Sequence, residues 1–173
     1  MTTPGHTVFD TPLGACGVGW TEFGVRTVQL PDHDASRTAA RLRRWYPDLP
    51  AAAPPPDIVR VIDDIRALLS GTPTDLAYVP LDLTGVAEFE QRVYAAARRV
   101  PPGDTVTYGE LADRLGDPGA ARAVGRALGR NPVPIVVPCH RVLAAGGRTG
   151  GFSAPGGVST KMRMLAIEGA TLF

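Results

Sequence analysis

At 173 residues, 44% of them hydrophobic, the chain is long enough to bury a core in one domain or two small ones. A formal net charge of +1 excludes a global field that would draw it onto nucleic acid, so any such binding must rest on a local patch and respond to salt. No apolar run approaches a membrane span and the chain does not open on a charged segment followed by an apolar one, so a cytoplasmic protein without membrane contact is expected.

Residues 7–30 read as strands and turns. The break at Thr11-Pro12-Leu13-Gly14 and the alternating run Val25-Arg26-Thr27-Val28-Gln29-Leu30 predict a small antiparallel sheet. Cys16, in Ala15-Cys16-Gly17-Val18, is expected to be a strand residue facing the core. Residues 36–46 predict a helix with Leu42 and Trp45 three apart and Arg37, Arg41 and Arg44 largely outside. Five prolines and three alanines make residues 47–56 an extended loop. Residues 57–69 form a second amphipathic pattern, with Ile58, Ile62, Ile65 and Leu69 on one face, and residues 76–83 offer one more short strand.

Thr84 is expected to cap the next helix, whose apolar stripe is Phe89, Val93, Ala96 and Val100, and Pro101-Pro102-Gly103-Asp104 ends it. Thr107-Tyr108-Gly109-Glu110 has the spacing of a capping box, so a helix should open there and run through Leu111, Ala112 and Leu115. Gly116-Asp117-Pro118-Gly119 breaks it and starts another, with Asp117 as N-cap and Pro118 at the first position. In that second helix Ala121, Val124 and Leu128 form a core stripe, while Arg122, Arg126 and Arg130 recur every four residues on another face. Between Ala112 and Arg148 six arginines face only Asp113 and Asp117, a local charge of +4. The arrangement fits a DNA-reading helix-turn-helix as well as an ordinary solvated helix pair. The predicted class is thus α/β (α+β): a small N-terminal antiparallel sheet with helices over residues 1–83, then a mostly helical C-terminal domain over residues 84–173 with a helix-turn-helix.

The apolar run Ile135-Val136-Val137 ends on Pro138, Cys139 and His140. A cysteine there reads either as a buried small hydrophobe or as a sheltered nucleophile whose thiolate needs a base, a cation or a helix N-terminus nearby. Neighbouring side chains on a strand point to opposite faces, so His140 can serve Cys139 only if the backbone bends, and Pro138 favours a bend. Cys16 and Cys139 could in principle pair, but a nucleophile must be free and the expected compartment is reducing.

Taken together, Ala120-Ala121-Arg122-Ala123-Val124-Gly125, Asn131-Pro132-Val133-Pro134 and Pro138-Cys139-His140-Arg141-Val142 resemble the signature of the 6-O-alkylguanine-DNA alkyltransferases, also called methylated-DNA-protein-cysteine methyltransferases. The resemblance runs from about Phe89 to Gly169 and is only architectural before that. It implies DNA repair by direct reversal: a methyl or larger alkyl group on O6 of guanine, with O4 of thymine a second candidate, passes to Cys139 after the base is flipped out of double-stranded DNA. It implies that Cys139 is relayed through a water to His140 and on to Glu168, that Tyr108 donates to the leaving guanine, and that Asn131 ties the recognition helix to the active-site strand. It places Arg122 in the gap left by the flipped base, with Ala121, Ala123 and Gly125 small enough for the minor groove and Arg126 standing where a small residue is usual. The Val142 carbonyl would accept the guanine amine, Phe152 would line the alkyl pocket and Ser153 would offer a backbone amide to O6, although Gly151-Phe152-Ser153-Ala154-Pro155-Gly156-Gly157 is two residues longer than the family pattern.

The N-terminal domain would then support the C-terminal one without chemistry of its own. Some relatives hold a structural zinc there, but His6, Cys16 and His33 make an insufficient ligand set, so no metal is expected, and no motif calls for a cofactor. With no second cysteine near Cys139 the thioether has no route back to thiol, so each molecule should react once. No dimerisation element is evident and a monomer is expected. Two other readings stay open: a lesion-recognition module that does not react, and a helix-turn-helix transcriptional regulator.

Overall fold

The structure, a computed structural model, describes residues 2–170. The chain divides into two compact units, one made of Met1–Leu83 with Pro132–Val136 and the other of Thr84–Asn131 with Val137–Phe173. No helix of the described residues is long and apolar enough to cross a membrane. The class is the mixed α/β one expected.

In the first unit, β1 (Gly5–Thr11), β2 (Gly14–Thr21) and β3 (Gly24–Gln29) form an antiparallel sheet in that order. The β1–β2 register runs from Gly5 opposite Trp20 to Thr11 opposite Gly14, and the Thr11 hydroxyl donates to the Gly14 carbonyl across the turn. Helix α1 (Ala35–Trp45) starts where the Asp34 carboxylate accepts the Arg37 amide at 2.8 Å. It packs closely on β2, where a Cβ on Gly17 would come within 2.5 Å of a Leu42 methyl, so only glycine admits this approach. Cys16, Val18, Val28 and Leu42 are buried, and Cys16 faces the core as expected. Helix α2 (Pro56–Leu69) buries the predicted Ile58, Ile62, Ile65 and Leu69, and Val61 and Leu68 with them.

Four expectations for this unit are corrected. Trp45 is 66% exposed, because α1 buries Thr38 and Leu42 and its last turn points outward. Arg41 is not on a solvated face: it donates to the Gln29 side chain at 2.7 Å and to the Leu30 carbonyl, pinning α1 to the end of β3. Residues 76–83 form no strand. The Val79 amide turns back to the Leu76 carbonyl and Pro80 has no amide, leaving a single bridge between Leu81 and Val25. The expected apolar strand before Cys139 is also absent. Within 132–136 the Pro132 carbonyl accepts the Val28 amide and the Thr27 hydroxyl, and Ile135 turns the chain at φ 74°, a left-handed conformation that strains a β-branched residue.

In the second unit α3 (Glu88–Ala97) is capped at Ala87, one turn beyond Thr84, and buries Val93, Tyr94 and Ala97. The stripe is rotated toward Tyr94 because its hydroxyl donates to the Ala127 carbonyl at 2.7 Å. Strand β4 (Val106–Thr107) leads into α4 (Tyr108–Arg114), where the Thr107 hydroxyl accepts the Glu110 amide at 3.0 Å as the capping spacing predicts. The Asp117 amide returns to the Ala112 carbonyl. A single 3-10 turn, Pro118–Ala120, then intervenes before α5 (Ala121–Gly129), so Asp117 caps no α-helix directly. Helix α5 buries Val124, Ala127 and Leu128 and exposes Arg122 and Arg126, while Arg130 pairs with Glu90 at 2.8 Å. Beyond Val137 a 3-10 turn, Cys139–Arg141, precedes β5 (Val142–Leu143), which pairs in parallel with β4, and α6 (Gly157–Ile167) closes the unit.

Candidate active site

Cys139 opens the 3-10 turn in the second unit, which is the bend expected after Pro138. Its residue is 8% exposed, its amide donates to the Val137 carbonyl at 2.8 Å, and its side chain is hydrogen-bonded by Asn131. The Asn131 amide also donates to the Val137 carbonyl at 2.9 Å, so one side chain holds both the backbone before Cys139 and the Cys139 side chain. Burial pushes the thiol above its ordinary value, against the opposing pull of Asn131, the Lys161 charge and two backbone amides. The resting group is therefore a thiol that needs a base.

His140 is completely buried. Its Nε2 lies 2.7 Å from Oε1 of Glu168, and its Nδ1 has no hydrogen-bond partner among the described residues. Burial lowers the imidazole below its usual value, and although Glu168 pulls it up, the charges of Arg141 and Lys161 add to the lowering. A neutral ring that donates through Nε2 to a carboxylate must carry its lone pair on Nδ1, which is the arrangement of a general base.

Glu168 caps the end of α6 with its side chain 3% exposed. Burial alone would raise its carboxyl, but the hydrogen bonds of His140 and Arg141, the Arg141 charge and the charge that His140 takes on in acid outweigh that and hold it at about 2. Arg141 donates from Nε to Oε2 at 2.9 Å and from Nη2 to Oε1 at 2.8 Å, and its Nη1 reaches the Val100 carbonyl at 2.7 Å.

Lys161 is also fully buried, its ammonium donating to the Val142 carbonyl at 2.8 Å and lying 5.9 Å from the centre of the Tyr108 ring. Burial brings it down to about 8, with the Cys139 sulfur pulling the other way. Tyr108, at the first position of α4, is held above its ordinary value by burial and by Cys139, so its hydroxyl is a donor at neutral pH. The backbone of Gly150 crosses that hydroxyl so closely that a Cβ there would lie 2.7 Å from it.

Asn131, Lys161 and Tyr108 thus act on the Cys139 side chain, Lys161 also holds the Val142 carbonyl, and Glu168 pairs with His140 next to Cys139 in the chain. Phe152 is half-buried, and the Ser153 hydroxyl donates to the Gly129 carbonyl at 2.8 Å. Arg122, Arg126, Ala121, Ala123 and Gly125 lie on α5, both arginines exposed and Gly125 against the Tyr108 ring. Sequence reasoning overlooked two residues, Arg141 and Lys161. The missed signal is periodic: Lys161, Met164, Leu165 and Glu168 fall at i, i+3, i+4 and i+7, so two charges sit on a core-facing stripe. Among the described residues no group of three or more His, Cys, Asp or Glu side chains could hold a metal ion.

Comparison with known proteins shows the family. The family profile described as "6-O-methylguanine DNA methyltransferase, DNA binding domain" matches residues 88–170. A methylated-DNA-protein-cysteine methyltransferase of Mycobacterium bovis is 38% identical over 166 residues, covering 94% of this chain and 91% of the relative. Its counterpart from Mycolicibacterium paratuberculosis is 44% identical over 161 residues, covering 92% and 88%. Among solved structures, the O6-methylguanine methyltransferase of Mycobacterium tuberculosis superposes with a TM-score of 0.76 at 33% identity, covering 96% of this chain and 93% of that one. The same organism's OGT in complex with DNA gives 0.75 at 33% identity, covering 95% and 92%. The chain belongs to the methylated-DNA-protein-cysteine methyltransferase family.

Proposed function

We propose that this protein repairs double-stranded DNA by moving a methyl or larger alkyl group from O6 of guanine onto Cys139, once per molecule. The observation that carries the reading is the buried cluster in which Asn131 is hydrogen-bonded to the Cys139 side chain and the neighbouring His140 pairs through Nε2 with Glu168, a carboxylate that Arg141 also binds. The Cys139 proton passes through a water to Nδ1 of His140, and Glu168 stabilises the imidazolium that forms. The sulfur attacks the methyl carbon in line, the new S–C bond forms as the C–O6 bond breaks, and the electron pair leaves on the guanine. Tyr108 donates to a ring nitrogen of that anion, and the Val142 carbonyl, which keeps a second lone pair beside Lys161, accepts the exocyclic amine. The Lys161 ammonium favours the thiolate as it develops.

The base must leave the stack to reach Cys139, at a cost of a few kcal/mol. Exposed Arg122 is suited to fill the gap, because a planar guanidinium both stacks and hydrogen-bonds the orphan base, while Ala121, Ala123 and Gly125 let α5 approach the minor groove as the second helix of a helix-turn-helix. Arg126 reaches phosphate. Phe152 and the Ser153 amide border the alkyl pocket. The protein acts as a monomer in the cytoplasm, where a free thiol persists. The test is intact mass and peptide mapping after mixing the protein with a duplex carrying one 6-O-methylguanine. One methyl on Cys139, saturating at one per chain and absent in Cys139→Ser, is expected. Lesion-selective binding without a mass change would replace this reading with a recognition module.

A further inference from the structure

The two oxygens of Glu168 are not equally shared. Oε1 takes both His140 Nε2 and Arg141 Nη2, whereas Oε2 takes Arg141 Nε. Arg141 is 5% exposed, and its third nitrogen is anchored on the Val100 carbonyl beyond the end of α3, so the guanidinium has no freedom to swing away. Carboxylate and guanidinium together form a buried pair of zero net charge, and His140 hangs on one corner of it.

We propose that Arg141 is the positioning residue that keeps His140 available as a base, by taking up the Glu168 charge that would otherwise hold a second proton on the ring. Without the guanidinium, the buried carboxylate has no fixed counter-charge beside it, and the cheapest way to supply one is an imidazolium. An imidazolium has Nδ1–H and cannot accept the proton from Cys139. The charged and titratable groups facing His140 are Glu168 and Lys161 from α6 and Arg141 and Cys139 from its own turn, with Tyr108 of α4 beyond Lys161. Arg141 touches the same carboxylate oxygen as His140, so it sets how much of that charge the ring feels. A lysine keeps the charge but reaches one oxygen and not two, so it substitutes only in part. Arg141 acts through Glu168 and His140 and touches no reacting atom.

The inference rests on the alkyltransferase reading, and the experiment separates the two. Single-turnover methyl transfer from a duplex with one 6-O-methylguanine is followed for wild type, Arg141→Lys and Arg141→Gln from about pH 5 to about pH 9, with final stoichiometry read apart from rate. All three should end near one methyl per chain. The acid limb of the rate profile should move to higher pH by about one unit or more in Arg141→Gln, a roughly tenfold slower transfer on that limb that recovers as pH rises, with Arg141→Lys between. A rate reduced by the same factor at every pH, or an unmoved profile, overturns the proposal and leaves Arg141 as scaffold. If Arg141→Gln does not fold, the Arg141→Lys profile and the 15N shifts of His140 decide. A neutral Nε2–H ring in wild type at neutral pH and a more readily protonated one in Arg141→Lys support the proposal. An imidazolium in the wild type overturns it. Failure of wild type to transfer methyl at all sinks the alkyltransferase reading, while the His140 shifts still test the role of Arg141.

Discussion

Replacing Glu168 by Gln should cost stability in an amount that depends on pH. The carboxyl ordinarily ionises near 4.5 and in the fold is held at about 2, and its side chain is only 3% exposed, so solvent screening takes little away. That difference corresponds to about 3 kcal/mol of preferential stabilisation of the folded carboxylate. Because the folded value lies below the unfolded one, the contribution is complete above about pH 4.5 and is lost as pH falls through about 2. In Glu168→Gln the Arg141 guanidinium, its side chain 6% exposed, loses its counter-charge, and stranding one partner of a buried pair typically costs about 3–5 kcal/mol. We expect the variant to be less stable by about 3 kcal/mol at pH 7 and the gap to narrow steadily between pH 4.5 and pH 2. Urea unfolding of wild type and variant across that range measures it, since taking the difference cancels carboxylates common to both. A gap below about 1 kcal/mol at neutral pH, or one that stays constant into acid, would show that Glu168 is not the charged keystone of the cluster.

Tyr108→Phe should slow transfer on the order of a hundredfold at neutral pH with little change in affinity for lesion DNA, because the lost donor acts on charge present only in the transition state; matched losses in rate and affinity would refute this. Arg122→Ala should weaken transfer from duplex DNA far more than transfer from a short single strand carrying the same lesion, since only the duplex leaves a gap to fill. Equal losses on both substrates would remove Arg122 from that role.

Elements whose signals are local were legible. The Thr107 cap needs only the residue three positions on, and the Ile58, Ile62, Ile65 and Leu69 stripe needs only a helix with one dry side. Elements defined by a distant partner were not. Residues 76–83 have strand composition, yet Pro80 leaves room for one bridge. The run Ile135-Val136-Val137 looks extended, but Ile135 turns in a left-handed conformation whose strain the surrounding packing must offset. Arg41 looks solvated until α1 is set against the end of β3.

The same division runs through the site. Cys139 and His140 stood out by their local chemistry, whereas Asn131, Tyr108 and Glu168 were singled out only through the resemblance to the alkyltransferases. Their protonation states could not be read from the sequence, because these depend on burial and on charges brought in from far along the chain: the carboxylate of Glu168 and the ammonium of Lys161 on α6. Sequence by itself determined which groups are available to react. Only the tertiary structure decided that burial lowers the His140 imidazole while its Nδ1 is unpartnered among the described residues, that Glu168 stays ionised between His140 and Arg141, and that Lys161 is buried on the Val142 carbonyl, because the free energy of a charge depends on what surrounds it in space.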